Sequence, residues 1–274
     1  MAKCAWRFAM LRRFEHSQVY HPDRILVATG AELNRPFEDV WLRTADGVTI
    51  NGWFYPARQN ASFQSWALLV CHGNAGNISH RLELCSALLE TGINVFMLDY
   101  RGYGRSEGHP SEAGTYLDAE VAYDWLLRKG FAGPNIIAYG ESLGGGVATE
   151  LAVRRALGGL IIESSFSCTS DLGAELFPWL PVRWMNTIKY ETCSKLPRVH
   201  VPVLILHSRG DLLIGFHHAE KNFRIANEPK ILCELEGRHS EPLANKGKFM
   251  SALKEFLNLA KTKSKSGAAT FASS

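Results

Sequence analysis

Two stretches near the start of the chain, 39–44 and 48–55, alternate apolar and polar residues around the turn Ala45-Asp46-Gly47. That pattern predicts a β-hairpin with one face on a core. From residue 65 the alternation stops. Short continuous apolar runs follow at 66–71, 94–98, 135–139, 160–162, 203–206 and 230–235, as expected of strands covered on both faces of a mostly parallel sheet. Helical periodicity fills the gaps. The stretch 79–91 ends at Gly92, 111–129 opens on Ser111 and stops at Gly130, and a helix with Ala148, Leu151, Ala152 and Ala156 follows Ser142. Near the end, Phe249, Leu253, Phe256, Leu257 and Ala260 recur at three- and four-residue spacing. A hairpin followed by strand–helix units predicts an α/β fold with a sheet of about eight strands and helices on both faces.

No internal repeat or linker divides this pattern, so 38–260 reads as a single domain behind an N-terminal extension, 1–37. The small, polar, aperiodic segment 261–274 is expected to be a disordered tail. One stretch, 166–200, breaks the rhythm. It carries Phe177-Pro178-Trp179-Leu180-Pro181 and Trp184-Met185, too long for a connecting loop and too apolar for disorder. It is expected to be a lid, with Phe177, Trp179, Leu180, Trp184 and Met185 facing an apolar substrate; an ordinary crossover with extra packing is the plainer reading.

Composition narrows the classes. With 274 residues and 46% hydrophobic content, the core needs no disulfide or metal for stability. A formal charge of +3, with cations scattered among acids, lacks the footprint of a nucleic-acid binder. The six cysteines form no Cys-x-x-Cys pair, which predicts buried thiols in a reduced, cytoplasmic protein and no zinc site. No apolar run approaches the ~18 residues of a membrane span. Residues 1–14 mix Trp6, Phe8, Met10, Leu11 and Phe14 with Lys3, Arg7, Arg12 and Arg13. Such a segment either packs as a first helix or rests peripherally on an anionic membrane.

The chemistry is concentrated at strand ends. The run 135–139 leads into Gly140-Glu141-Ser142-Leu143-Gly144 and then a helix, the strand–turn–helix context of a G-x-S-x-G nucleophile elbow. The serine of such a turn is strained and sits at a helix N-terminus, where negative charge is favoured. The run 66–71 ends in His72-Gly73-Asn74-Ala75-Gly76-Asn77, whose glycines let backbone approach a substrate. The backbone N–H groups of Asn74 and Leu143 are the expected oxyanion hole, and His72 is expected to brace the loop. Asp99-Tyr100-Arg101-Gly102-Tyr103-Gly104-Arg105-Ser106-Glu107-Gly108 does not fit a dinucleotide fingerprint, because Glu107 replaces the third glycine. It reads as a charge-latched loop.

A serine needs a base and an orienting carboxylate. His207-Ser208-Arg209-Gly210-Asp211 follows one strand and Glu236-Gly237-Arg238-His239-Ser240 the next, in the chain order serine, acid, histidine. Asp211 is favoured over Asp171 as the acid and His239 over His217 and His218 as the base. No cofactor or metal is called for.

Together, H-G-N-A-G-N, D-Y-R-G-Y-G-R-S-E-G, G-E-S-L-G-G, H-S-R-G-D and G-R-H resemble the Bem46-like branch of the α/β-hydrolase superfamily over roughly 38–260. The resemblance implies Ser142 as nucleophile, Asp211 as acid and His239 as base in a serine hydrolase. Its substrate would be a small-molecule or lipid-like acyl ester or thioester, and some members of the branch are protein depalmitoylases. Two departures stand out: Leu212 follows Asp211 where members commonly carry a second acid, and Cys4 is the one early cysteine. A non-catalytic ligand- or protein-binding member of the fold, or a peptidase or acyltransferase with the same residues, is the alternative.

Overall fold

A computed structural model describes residues 2–272, with side chains from 10 to 265. Eight strands form the main sheet: β1 (Glu38–Arg43), β2 (Thr49–Tyr55), β3 (Phe63–Cys71), β4 (Ile93–Leu98), β5 (Ile136–Glu141), β6 (Gly159–Glu163), β7 (Val203–Ser208) and β8 (Lys230–Leu235). Their spatial order is β8-β7-β6-β5-β3-β4-β2-β1. The β1–β2 and β2–β4 pairings are antiparallel, and all the others are parallel. The hairpin and the six continuous apolar runs are all present as strands.

Strand alternation splits the core into two layers. Ala67, Leu69 and Cys71 of β3 face one layer, with α3 (Glu112–Arg128), α4 (Leu143–Arg154) and α8 (Phe216–Ile225) packed over it. Leu68 and Val70 face the other, covered by α2 (Leu82–Leu89) and α9 (Lys246–Ala272). The predicted stripe of α9 is its buried face: Phe249, Leu253, Phe256, Leu257 and Ala260 are all fully enclosed. Because successive strands run parallel, the ends of β3, β5, β6, β7 and β8 share one edge of the sheet, the edge where ligands bind in such folds.

Three expectations need adjustment. The tail from 261 continues α9 as backbone helix through Ala272. Extending a packed helix adds one hydrogen bond per residue with no new nucleation, and Ala and Lys favour it. The helix expected over 79–91 is a short 3-10 turn, Ile78–Arg81, followed by α2. The 166–200 segment folds into three short helices, α5 (Thr169–Leu176), α6 (Val182–Met185) and α7 (Thr192–Lys195).

The extension forms α1 (Ala2–Val19) and then pairs His21–Pro22 in parallel with Ala75–Gly76. It thereby splints the loop after β3. The side chains of Lys3, Cys4, Trp6, Arg7 and Phe8 lie outside the described ones. Among the described residues, no helix is long and apolar enough to cross a membrane.

Candidate active site

Ser142 sits between β5 and α4 with φ 51° and ψ −114°, a conformation that side-chain-bearing residues rarely adopt and that clusters at functional sites. The turn is held from both sides. The Ser142 N–H donates to the Glu163 carbonyl at 2.8 Å, and the Ser165 hydroxyl donates to the Ser142 carbonyl at 2.6 Å. The flanking glycines are required by space. A Cβ on Gly144 would stand 2.0 Å from the Cys71 carbonyl oxygen, and one on Gly140 would stand 2.3 Å from that of Gly144.

Three side chains from separate strand ends meet here. Ser142 Oγ lies 3.2 Å from His239 Nε2, and His239 Nδ1 lies 2.7 Å from Asp211 Oδ2. The other Asp211 oxygen accepts the N–H groups of Leu213 and Ile214, each at 2.9 Å. Burial pushes the Asp211 carboxyl up, but the His239 hydrogen bond and the two backbone donors outweigh it. The group ends below its ordinary value and stays ionised at neutral pH. That charge fixes the proton on Nδ1 and leaves Nε2 to accept from the Ser142 hydroxyl. Asp171, the rival acid, is instead paired with Lys221 at 2.6 Å and Arg183 at 3.2 Å.

The loop after β3 lies against the nucleophile, since a Cβ on Gly73 would sit 3.4 Å from that of Ser142. The Asn74 carbonyl accepts from the His21 N–H at 2.9 Å and the Tyr103 hydroxyl at 2.8 Å, which holds that peptide in place. Leu143 is the first residue of α4, where an N–H has no intrahelical partner. Buried His72 does brace the loop: its Nδ1 donates to the Gly73 carbonyl at 2.7 Å, and its Nε2 lies 3.3 Å from Asp99. The latch is also present. Arg101 bridges Asp118 (2.9 Å) and Asp46 (2.7 Å), and the buried Ser106 hydroxyl donates to the Asp99 carbonyl.

Sequence reasoning missed a buried charge cluster behind the serine. The Glu141 carboxylate takes a forked contact from Arg81 (3.0 and 3.2 Å) and the Gly73 N–H at 3.3 Å. Burial pushes Glu141 up, but Arg81 outweighs it and the carboxyl ends below its ordinary value. Glu163, its register partner on β6, is fully buried with neither carboxyl oxygen hydrogen-bonded. Burial, then the charge of Glu141, push it up to about 8. The only signal was an acid closing a continuous apolar strand. His207, also unremarked, donates from Nε2 to the Ile214 carbonyl at 2.8 Å and stands 3.5 Å from Asp211.

Among the described residues, Glu175, His217 and His218 are the cluster with metal-ligand spacing. His218 Nδ1 accepts the Ser167 N–H at 3.2 Å, so its Nε2 carries a proton for Glu175 at 3.3 Å, while His217 meets Glu175 at 2.9 Å. The three side chains satisfy one another as a clasp of α5 on α8.

Two cavities flank this region. One of about 510 Å³ adjoins Glu141 and Ser240, the neighbours of Ser142 and His239, and includes Arg81 and Leu84. The other, of about 450 Å³, lies between α1 and the α5–α6 segment, the expected lid. Phe177, Leu180, Trp184 and Met185 line it; Trp179 does not, and neither do Ser142, Asp211 or His239. Of the aromatics of 166–200, Phe177 packs against Phe14 of α1 while Trp179 and Trp184 stay exposed, and Tyr190 packs against Gly146 of α4.

Comparison with known proteins agrees with this fold. The family described as serine aminopeptidase, S33, matches residues 64–191. An uncharacterized protein of Mycobacterium tuberculosis is 37% identical over 242 residues, 87% of this chain and 85% of that one. The α/β-hydrolase domain-containing protein WAV2 of Arabidopsis thaliana is 32% identical over 77% of this chain and 75% of its own length. Protein bem46 of Schizosaccharomyces pombe is 37% identical over 56% of this chain and 52% of its own. An esterase of Pyrococcus furiosus superimposes with a TM-score of 0.73 over 89% of this chain and 98% of that one, at 19% identity, a likeness of fold. The chain thus belongs to the α/β-hydrolase superfamily.

Proposed function

We propose that this hydrolase-family chain cleaves a carboxylic ester or thioester through an acyl-enzyme on Ser142. The observation that carries the reading is the unbroken relay from Asp211 to His239 to Ser142, at 2.7 and 3.2 Å, ending on a serine with positive φ at a helix N-terminus.

In this reading His239 Nε2 takes the hydroxyl proton as Ser142 Oγ attacks the acyl carbon. The oxyanion forms against the N–H groups of Leu143 and Asn74, donors the fold holds in place before the reaction. Asp211 stabilises the imidazolium, which then protonates the departing alcohol or thiol. Water repeats the sequence, with His239 again as base, and frees the acid. Beside the serine, Asp211 is engaged by His239 and Glu141 by Arg81.

A burst of p-nitrophenol from a p-nitrophenyl ester, stoichiometric with protein and lost in His239→Ala, is the expected pre-steady-state behaviour. Linear release with no acyl adduct by mass spectrometry would reject the covalent route.

A further inference from the structure

The cavity between α1 and the lid has a built character that the proposed hydrolysis leaves unused. Its wall is apolar: Leu11, Phe14, Phe177, Leu180, Trp184 and Ile188. Its volume of about 450 Å³ falls in the range of small-ligand sites. Phe14 of α1 meets Phe177 of the lid edge-on, with centroids 6.1 Å apart. Glu15 then pins the two elements together, accepting the N–H groups of Thr187 at 2.6 Å and Ile188 at 2.8 Å as well as the Thr187 hydroxyl at 2.5 Å. The wall is consequently formed before any ligand arrives.

The charges around it are unevenly committed. Glu15 is turned to the Thr187–Ile188 backbone, where those three neutral donors engage both of its oxygens. Arg183 is held 3.2 Å from Asp171. Arg12 also lines the cavity, and among the described residues no hydrogen bond or ion pair occupies its guanidinium. An apolar cavity with one free cation among its described lining residues is complementary to a hydrocarbon tail that ends in a negative group.

We propose that this cavity is a binding site for a single-chain anionic amphiphile, with the alkyl chain between α1 and the lid and the anionic head on Arg12. The carboxylate of a free fatty acid and the phosphate of a lysophospholipid supply the same head chemistry. Since Ser142, Asp211 and His239 do not line it, the site is separate from the hydrolytic one and independent of the chemistry proposed there.

Isothermal titration calorimetry of the full chain, with each amphiphile below its critical micelle concentration, tests this. Laurate should bind saturably at one per chain, and equally to Ser142→Ala. Arg12→Gln should weaken laurate at least tenfold while leaving dodecanol unchanged. Leu11→Glu, at a half-exposed position, and Phe14→Glu should each abolish binding of both, with circular dichroism melts confirming that the variants fold. Lauroyl lysophosphatidic acid, run beside laurate, identifies which head Arg12 prefers, and loss with Arg12→Gln supports the site for either. No saturable binding of either anionic amphiphile, equal affinity for laurate in Arg12→Gln, or loss of laurate binding in Ser142→Ala would overturn the proposal.

Discussion

Glu141 and Glu163 are register partners on adjacent parallel strands, and only Glu141 is met by a cation. The two carboxyls therefore part company: Arg81 keeps Glu141 ionised, while burial and the Glu141 charge push Glu163 up to about 8. Tyr139, Arg81, His72 and Asp211 also interact with this cluster.

Stability should carry the signature of Glu163. Its folded pKa lies above its ordinary value of 4.5. Between the two values the native state binds more protons than the unfolded chain, so stability falls as pH rises from about 4.5 and levels off beyond about 8. Glu163→Gln cannot ionise and removes this slope. Its melting temperature, referenced to its own value at pH 4.5, should exceed that of the wild type by about 5 °C or more at pH 8.5. Melting curves that stay parallel across the range would contradict the protonated Glu163.

Arg81 holds a charge that would otherwise be buried alone. Arg81→Met should cost about 3–5 kcal/mol in urea unfolding, because Glu141 loses its partner. Adding Glu141→Gln should recover most of that loss, since a neutral amide is far cheaper to bury than a carboxylate. Additive losses in the double variant would show that Arg81 acts through some other contact.

Gly144 lets α4 approach β3. A methyl group there meets the Cys71 carbonyl oxygen, a backbone atom that cannot swing away. Gly144→Ala should lose about 1–3 kcal/mol or more by urea unfolding, together with reactivity of Ser142, whereas Gly130→Ala faces no contact within 4 Å and only the strain of a positive φ. Equal activity in both variants would remove the steric account of the elbow.

Much of this was legible in the chain. The loss of alternation after residue 65 marked the buried strands, and strand-end placement brought Ser142, Asp211 and His239 to one edge without any knowledge of their contacts. Chain order admits both Asp171 and Asp211; the loop closing the 203–206 strand favoured Asp211, and the structure gives the reason in Lys221 and Arg183. What could not be read was side-chain company. Arg81 is sixty residues from Glu141, and nothing local marks them as partners. The aromatics of 166–200 were assigned to the substrate by their polarity, but polarity does not say which apolar surface they meet; Phe177 meets Phe14 of α1, and Trp179 and Trp184 stay exposed. The tail was read from composition alone, and composition omits the packed helix it extends.

Asp211 should govern turnover far more than folding. Asp211→Asn should lower kcat on p-nitrophenyl esters by a factor on the order of 10⁴ through the wrong imidazole tautomer, with near-wild-type circular dichroism. Asp171→Asn should stay within a few-fold of wild type, since Asp171 engages Lys221 and Arg183 and not His239. The reverse outcome would exchange their roles.

The most direct test of the account is fluorophosphonate labelling followed by peptide mapping. Wild-type protein should take up one probe, on the peptide that contains Ser142, and Ser142→Ala should take up none while melting at a similar temperature. Persistent labelling of Ser142→Ala, or an unlabelled wild type that is demonstrably folded, would contradict a nucleophilic Ser142.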